Sequence, residues 1–162
     1  MQKLISIFYQ HNLWANQNLF DTCLTLNDEQ LNHTDPGAYG SIQKTLQHLV
    51  RAEERYLYHL VRWEPAVPMN LDDQPAIAEL KERVHTTGKK LLEIATTTDP
   101  DKTIQVGDGD DADHMPAWVI LLQVIHHAHE HRTQVNTLLG QLGIEIPSGS
   151  GWGYYFEEIL KE

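Results

Sequence analysis

The chain has 162 residues, enough for a substantial buried core, and we expect residues 1–162 to form a single domain. Its formal charge is −11 and no stretch concentrates lysine or arginine, so nucleic acids and anionic membrane surfaces would repel it. No apolar run reaches the length that spans a bilayer, and the N-terminus lacks the pattern of a signal peptide. We therefore expect a soluble, cytoplasmic protein with no nucleic-acid or membrane partner.

The first predicted helix covers residues 2–26. Ile7 and Trp14 lie on a different side of this helix from its main apolar face, where they could clamp the C-terminal segment or contact a second subunit. Because we expect both side chains to be exposed, we also expect a homodimer that packs through helices. The main face consists of apolar residues at helical spacing: Leu4, Ile5, Phe8, Ala15, Leu19, Cys23 and Leu26.

The second and third predicted helices are separated by a segment that contains proline. The second helix begins at Ser41, a typical N-cap residue, and continues to about Trp63, just before Pro65. The third covers residues 76–97, and Gly88 within it lowers its helical propensity slightly.

The fourth predicted helix follows a polar loop at residues 100–115, in which TIQV is one short extended piece. Asp113 and Pro116 are typical of a helix start, and Gly143 is typical of a helix end. The tail contains a turn and a short amphipathic segment. The whole pattern predicts an all-α protein, a four-helix bundle with a crossover connection and a short C-terminal helical segment.

Two histidines lie on the apolar stripe of the fourth predicted helix. At 100° per residue, His127 and His131 fall within the same arc of roughly 120° as Ile120, Val124 and Leu138. Their i, i+4 spacing allows two ring nitrogens to bind one metal ion at roughly 2.0 to 2.1 Å each. Two histidines that are hydrogen-bonded inside a core are the alternative from this pattern alone.

A third histidine, His48, lies on the apolar face of the second predicted helix. Helical bundles build metal sites between facing helices, so His48 can meet His127 and His131 if the second and fourth helices are neighbours. Three neutral imidazoles would then leave a fourth coordination position open. His59 shares the face of His48 but lies roughly 16 Å further along the helix axis, so one ion cannot bind both.

Three segments of the chain resemble the DinB family of small bacterial four-helix-bundle metalloproteins. YQHNLWANQNLF is similar to the family's first helix, SIQKTLQHLVRAEERYL to its second and IHHAHEHRTQVNTLLGQLG to its fourth, with HxxxHRxQ the most specific piece. The resemblance covers essentially the whole chain and implies a three-histidine metal site at His48, His127 and His131. Two departures are Thr133, where the family usually has glycine, and the pair at 129–130, which replaces a more common Thr-His.

The resemblance implies a site that holds a divalent metal, zinc or nickel. Glu130 and Gln134 lie near the ion-binding arc and are the candidate catalytic residues, since either could orient a ligand or the attacking nucleophile. Tyr56 is the candidate for lining the cofactor or substrate pocket, with ordinary packing as the alternative. Arg132 points away from the arc and is expected to be a structural hydrogen-bond or ion-pair partner.

Two enzymatic functions are compatible with such a site. In the first, a low-molecular-weight thiol, of the bacillithiol or mycothiol kind that relatives in the family use, is transferred to an electrophilic small-molecule substrate. In the second, a metal-activated water hydrolyses a small amide or ester while a neighbouring carboxylate manages the proton. A stress-induced protein that binds a metal or a ligand without turnover is a third possibility. The resemblance favours thiol transfer.

Overall fold

The computed structural model describes residues 2–70, 72–107 and 109–161. Four long helices pack as a bundle, which confirms the predicted all-α fold, and the short C-terminal helical segment is also present. The long helices are α1 (Gln2–Cys23), α3 (Ile42–Val61), α4 (Ile77–Thr97) and α5 (Ala117–Gln141). The short ones are α2 (Asp28–Leu31), a 3-10 turn (Gly109–Asp111), α6 (Gly151–Tyr154) and a π-helical turn (Tyr155–Ile159).

The packing order of the long helices decides where the histidines can meet. Helix α1 packs on α4 and α5, and α3 packs on the same two helices. Helices α3 and α5 are therefore neighbours, as a site built from His48, His127 and His131 requires. Gly88 permits a close approach of α1 and α4, because a Cβ atom at this position would lie only 2.6 Å from Cδ1 of Leu13.

Two of the predicted helix boundaries have clear local causes. The Ser41 side chain accepts a hydrogen bond from the backbone N–H of Lys44, so Ser41 is the N-cap of α3 as predicted. At the other end, Arg62 adopts a left-handed conformation with φ of 58° and its N–H donates to the carbonyl of Tyr58. The chain therefore leaves the helix slightly before Trp63.

A small β-hairpin occupies part of the segment predicted as a polar loop. Strand β1 (Thr103–Val106) matches the expected extended piece, and it pairs antiparallel with β2 (Asp113–Pro116). The prediction that Asp113 lies at the start of the last helix is wrong, since Asp113 pairs with Val106 and α5 begins only after Pro116. The strand β2 has no alternating apolar pattern of its own. Its conformation depends on pairing with β1, whose Ile104 is buried in the core.

The N-terminal part of α1 departs from the predicted pattern of exposure. Leu4 and Phe8 were expected on the buried face, yet they are 55% and 52% exposed. Trp14 was expected at the surface and is only 9% exposed, because its ring contacts that of Tyr154, 5.3 Å away between centroids. Trp14 therefore clamps the C-terminal segment, and the predicted homodimer now rests on Ile7 alone, which is 37% exposed.

The described helices include none that is long and apolar enough to cross a membrane.

Candidate metal centre

The structure brings His48 of α3 together with His127 and His131 of α5. Nε2 of His127 lies 3.0 Å from Nε2 of His48 and 3.1 Å from Nε2 of His131. One ring nitrogen of each residue lies within 4.8 Å of those of the other two. His131 is buried and the other two rings are half-buried. The three residues singled out in the sequence thus converge at one point between two neighbouring helices, and their role as metal ligands stays a prediction.

The donor set and its spacing fit a divalent transition-metal ion. Three nitrogens that surround a tetrahedral ion at 2.0 to 2.1 Å are about 3.3 Å apart. The two separations at His127 are 3.0 and 3.1 Å, close to this value, and the nitrogens of His48 and His131 lie within 4.8 Å of each other. Imidazole nitrogens are also ligands that zinc, nickel and copper prefer.

Gln134 determines which nitrogen of His131 carries the proton. Oε1 of Gln134 lies 2.9 Å from Nδ1 of His131 and 3.3 Å from the backbone nitrogen of Tyr39. A backbone N–H can only donate, so the amide atom that both groups share is the oxygen, and Nδ1 of His131 must donate as well. Nε2 of His131 therefore presents its lone pair to the other two histidines, which is the form that binds a metal.

Two tyrosine rings lie against the histidine cluster. Tyr39 stacks on His48, with 4.1 Å between centroids and 21° between planes, and it meets His131 edge-on at 5.4 Å. Tyr56, the predicted pocket residue, is half-buried and meets His127 edge-on at 5.8 Å. Sequence analysis missed Tyr39, because it precedes α3 in a segment without helical periodicity.

The environment of the cluster favours the neutral forms of His48 and His127. Burial, reinforced by His131 and His48, lowers the pKa of His127 to about 4. Burial also lowers the pKa of His48, with smaller contributions from His131 and from the cation of Arg51. At neutral pH these rings therefore need not release a proton before they bind a metal ion.

The remaining predicted residues of the fourth helix have different surroundings. Glu130 is exposed, and among the described residues no carboxylate joins the three histidines. Arg132 is buried and donates hydrogen bonds to Oδ1 of Asn12 at 2.7 Å and to Oδ1 of Asn16 at 2.6 Å. Arg132 is therefore a hydrogen-bond partner inside the bundle, facing α1.

Sequence analysis also missed a buried carboxylate next to Arg132. Nδ2 of Asn16 donates to Oε1 of Glu53 at 2.9 Å, and the Thr87 hydroxyl donates to the other carboxylate oxygen. Burial raises the pKa of Glu53 to about 7, although Thr87, Arg132 and Asn16 favour the ionised form. The available signal was the i, i+4 pair of Asn12 and Asn16 on a helix face that is otherwise apolar.

Comparisons with known proteins agree with this architecture. A DinB-like protein from Bacillus cereus, known from its crystal structure, is 18% identical to this chain, with a TM-score of 0.67 over 86% of this chain and 91% of that chain. This likeness shows the shared fold. No curated protein matches the chain. The model of the DinB family matches residues 1–158, nearly the full length, and this protein belongs to the DinB family.

Proposed function

We propose that this protein is a metal-dependent enzyme that transfers a low-molecular-weight thiol, similar to bacillithiol, to an electrophilic small molecule. His48, His127 and His131 would hold the metal ion, which we propose to be zinc or nickel. The observation that carries the proposal is the convergence of three Nε2 atoms between α3 and α5, with separations of 3.0 and 3.1 Å at His127. Membership of the DinB family supports it.

A divalent ion held by three neutral histidines keeps its full charge and, when bound, lowers the pKa of a thiol or water that reaches it. The chain's own residues prepare the site for this chemistry. Gln134 holds His131 in the tautomer that offers Nε2, and burial keeps His127 neutral. The ring of Tyr39 covers one face of His48, and the ring of Tyr56 lies edge-on to His127.

Thiol transfer is favoured over hydrolysis by the surroundings of the cluster. Hydrolysis of an amide or ester needs a group that accepts and returns a proton close to the reacting atoms. The predicted group, Glu130, is exposed, and no carboxylate of the described residues joins the histidines. A thiol that would bind as its thiolate would release its proton to solvent on binding, so its attack on the substrate would need no neighbouring carboxylate.

Metal content tests the site itself. Protein purified without a histidine tag is loaded with zinc, dialysed and analysed for metal, next to the variants His127→Ala and His126→Ala. We expect about one ion per chain in the unmodified protein and in His126→Ala, since His126 is exposed on the same helix. His127→Ala should retain far less. Equally low metal content in all three proteins would eliminate the site.

Thiol consumption tests the reaction. Metal-loaded protein is incubated with a cysteinyl thiol and a chloroaromatic compound or an epoxide, and the loss of free thiol is followed. We expect faster loss than in buffer or with His127→Ala. If the protein cleaves esters but consumes no thiol, its reaction is hydrolysis and not thiol transfer. A protein that binds metal but accelerates neither reaction would be a metal- or ligand-binding protein without turnover.

A further inference from the structure

A cleft opens beside His48, on the helix that contributes one histidine to the candidate metal centre. Its volume is about 260 Å³. His48 belongs both to the cleft and to the histidine cluster, whereas His127 and His131 do not line the cleft, so a small molecule in the cleft would approach the centre from the side of His48. This volume suits part of a small metabolite, since complete sites for drug-sized ligands begin at about 300 Å³. The lining consists of Tyr39, Lys44, Gln47, His48, Arg51 and Asp72.

Two cations flank His48 on the same face of α3. Lys44 precedes His48 by one helical turn and Arg51 follows it by one turn, so at 100° per residue all three fall within about 60°. The segment that carries Tyr39 runs close to this face. A Cβ atom at Gly40 would lie 3.4 Å from Cβ of Lys44. Both cations therefore lie with His48 in the lining of the cleft.

Neither cation forms a salt bridge within the described part of the chain, although the Glu54 carboxylate, which pairs with Arg83, also interacts electrostatically with Arg51. The salt bridges found there join Lys81 to Asp21, and Arg83 to Glu54 and Glu79. Asp72 is the acidic residue of the lining, so the cleft has one net positive charge while His48 is neutral.

We propose that this cleft is a subsite for a carboxylate group of the small molecule that binds at the three-histidine centre. The proposal rests on the proposed function, and it assigns the carboxylate first to the thiol. A guanidinium group pairs with a carboxylate through two parallel hydrogen bonds, and a lysine nearby adds a point charge. Lys44, Arg51 and Asp72 together leave one net positive charge in the lining, which a single carboxylate balances.

Binding of a thiol-free carboxylate to the metal-free protein tests the subsite directly. The probe is N-acetylalanine, with its neutral amide as the control compound, and the ring signals of His48 and Tyr39 in NMR spectra report binding. We expect Lys44→Gln/Arg51→Gln to weaken N-acetylalanine binding about tenfold or more. The control Lys3→Gln/Lys89→Gln changes the net charge equally at sites outside the cleft, and it should bind like the unmodified protein. Equal affinity for the acid and the amide, or no loss in the Lys44/Arg51 variant, would overturn the proposal.

The opposite substitution provides a second check on the sign of the effect. Asp72→Asn removes the negative charge of the lining and should strengthen N-acetylalanine binding several-fold. Asp101→Asn, at an exposed position outside the cleft, should have no such effect. Weaker binding in Asp72→Asn would contradict the proposed charge balance.

Zinc-loaded protein distinguishes the source of the carboxylate. N-acetylcysteine should bind about tenfold more tightly than its amide, and this preference should disappear in Lys44→Gln/Arg51→Gln. If the protein instead binds only 4-chloro-3-nitrobenzoate more tightly than the corresponding benzamide, the subsite holds the carboxylate of the electrophilic substrate. No preference in either pair would overturn the proposal. Failure of zinc to bind would defeat the proposed function alone, because the N-acetylalanine experiment needs no metal.

Discussion

The amide oxygen of Gln134 accepts a hydrogen bond from Nδ1 of His131 at 2.9 Å, and it accepts a second one from the backbone N–H of Tyr39 at 3.3 Å. One side chain thus sets the tautomer of a candidate metal ligand and ties it to the segment before α3. The ring of Tyr39 in turn stacks on His48. The geometry of the three histidines therefore depends on residues that would not themselves touch the metal.

Replacing Gln134 with leucine should weaken zinc binding about 10- to 100-fold, because His131 loses the acceptor that fixes its tautomer. Competition against a chromogenic zinc chelator measures the affinity. Gln134→Glu keeps an acceptor oxygen at the same position and should retain most of it. Gln10→Leu, at an exposed position on α1, is the control for an added leucine. Equal losses in Gln134→Leu and Gln134→Glu would show that the acceptor has no such role.

Zinc should raise the melting temperature of this protein. At a free zinc concentration one hundred times the dissociation constant, binding adds about 2.7 kcal/mol of stability, which corresponds to about 5 to 10 °C for a chain of this size. Thermal unfolding with zinc and with a chelator measures the shift. His126→Ala should show the same shift and His127→Ala should show little. A full shift in His127→Ala would locate the stabilising zinc elsewhere.

Glu53 should make the folded protein less stable as the pH rises. Burial raises its pKa from 4.5 to about 7, so the folded chain binds more protons at this group than the unfolded chain does between these values. The stability that comes from the neutral form is complete below the unfolded pKa and is lost as the pH passes 7. In Glu53→Gln the group is neutral at every pH. Its amide can still accept from Asn16.

Urea unfolding at pH 5 and pH 8 checks this expectation for Glu53. The free energy of unfolding of the unmodified protein, relative to that of Glu53→Gln, should fall by about 2 kcal/mol between the two pH values. Glu93→Gln, an exposed position on α4, should follow the unmodified protein at both. A constant difference between Glu53→Gln and the unmodified protein would mean that Glu53 titrates in the folded chain as it does in the unfolded chain.

Gly88→Ala should destabilise the protein by about 1 kcal/mol, although alanine favours a helix over glycine by about that amount. The reason is that the new Cβ atom would lie 2.6 Å from Cδ1 of Leu13, and overpacking costs about 1 to 3 kcal/mol. In a Leu13→Ala background the same substitution should instead be stabilising. Chemical denaturation of the unmodified protein, the two single variants and the double variant measures the coupling between positions 13 and 88 in the free energy of unfolding. If the effects of the two substitutions on the free energy of unfolding are additive, the extra methyl group at position 88 does not clash with Leu13.

Sequence alone determined the features that depend on neighbours along the chain. Helical periodicity predicts the four long helices. The cap at Ser41 depends only on a contact with Lys44, which lies within one helical turn. For the same reason His127 and His131 share a face whatever surrounds them. His48 was a candidate from its place on an apolar helix face, and the resemblance to the DinB family implies the same three histidines; the family match over residues 1–158 agrees with that resemblance.

Only the tertiary structure decided which residues from distant parts of the chain meet. His48 reaches the other two histidines because α3 and α5 are neighbours, and periodicity within a helix carries no information about its neighbours. Trp14 is buried because the C-terminal segment folds back onto it. Tyr39 and Glu53 likewise acquire their roles from partners on other helices, since packing and burial are properties of the assembled bundle.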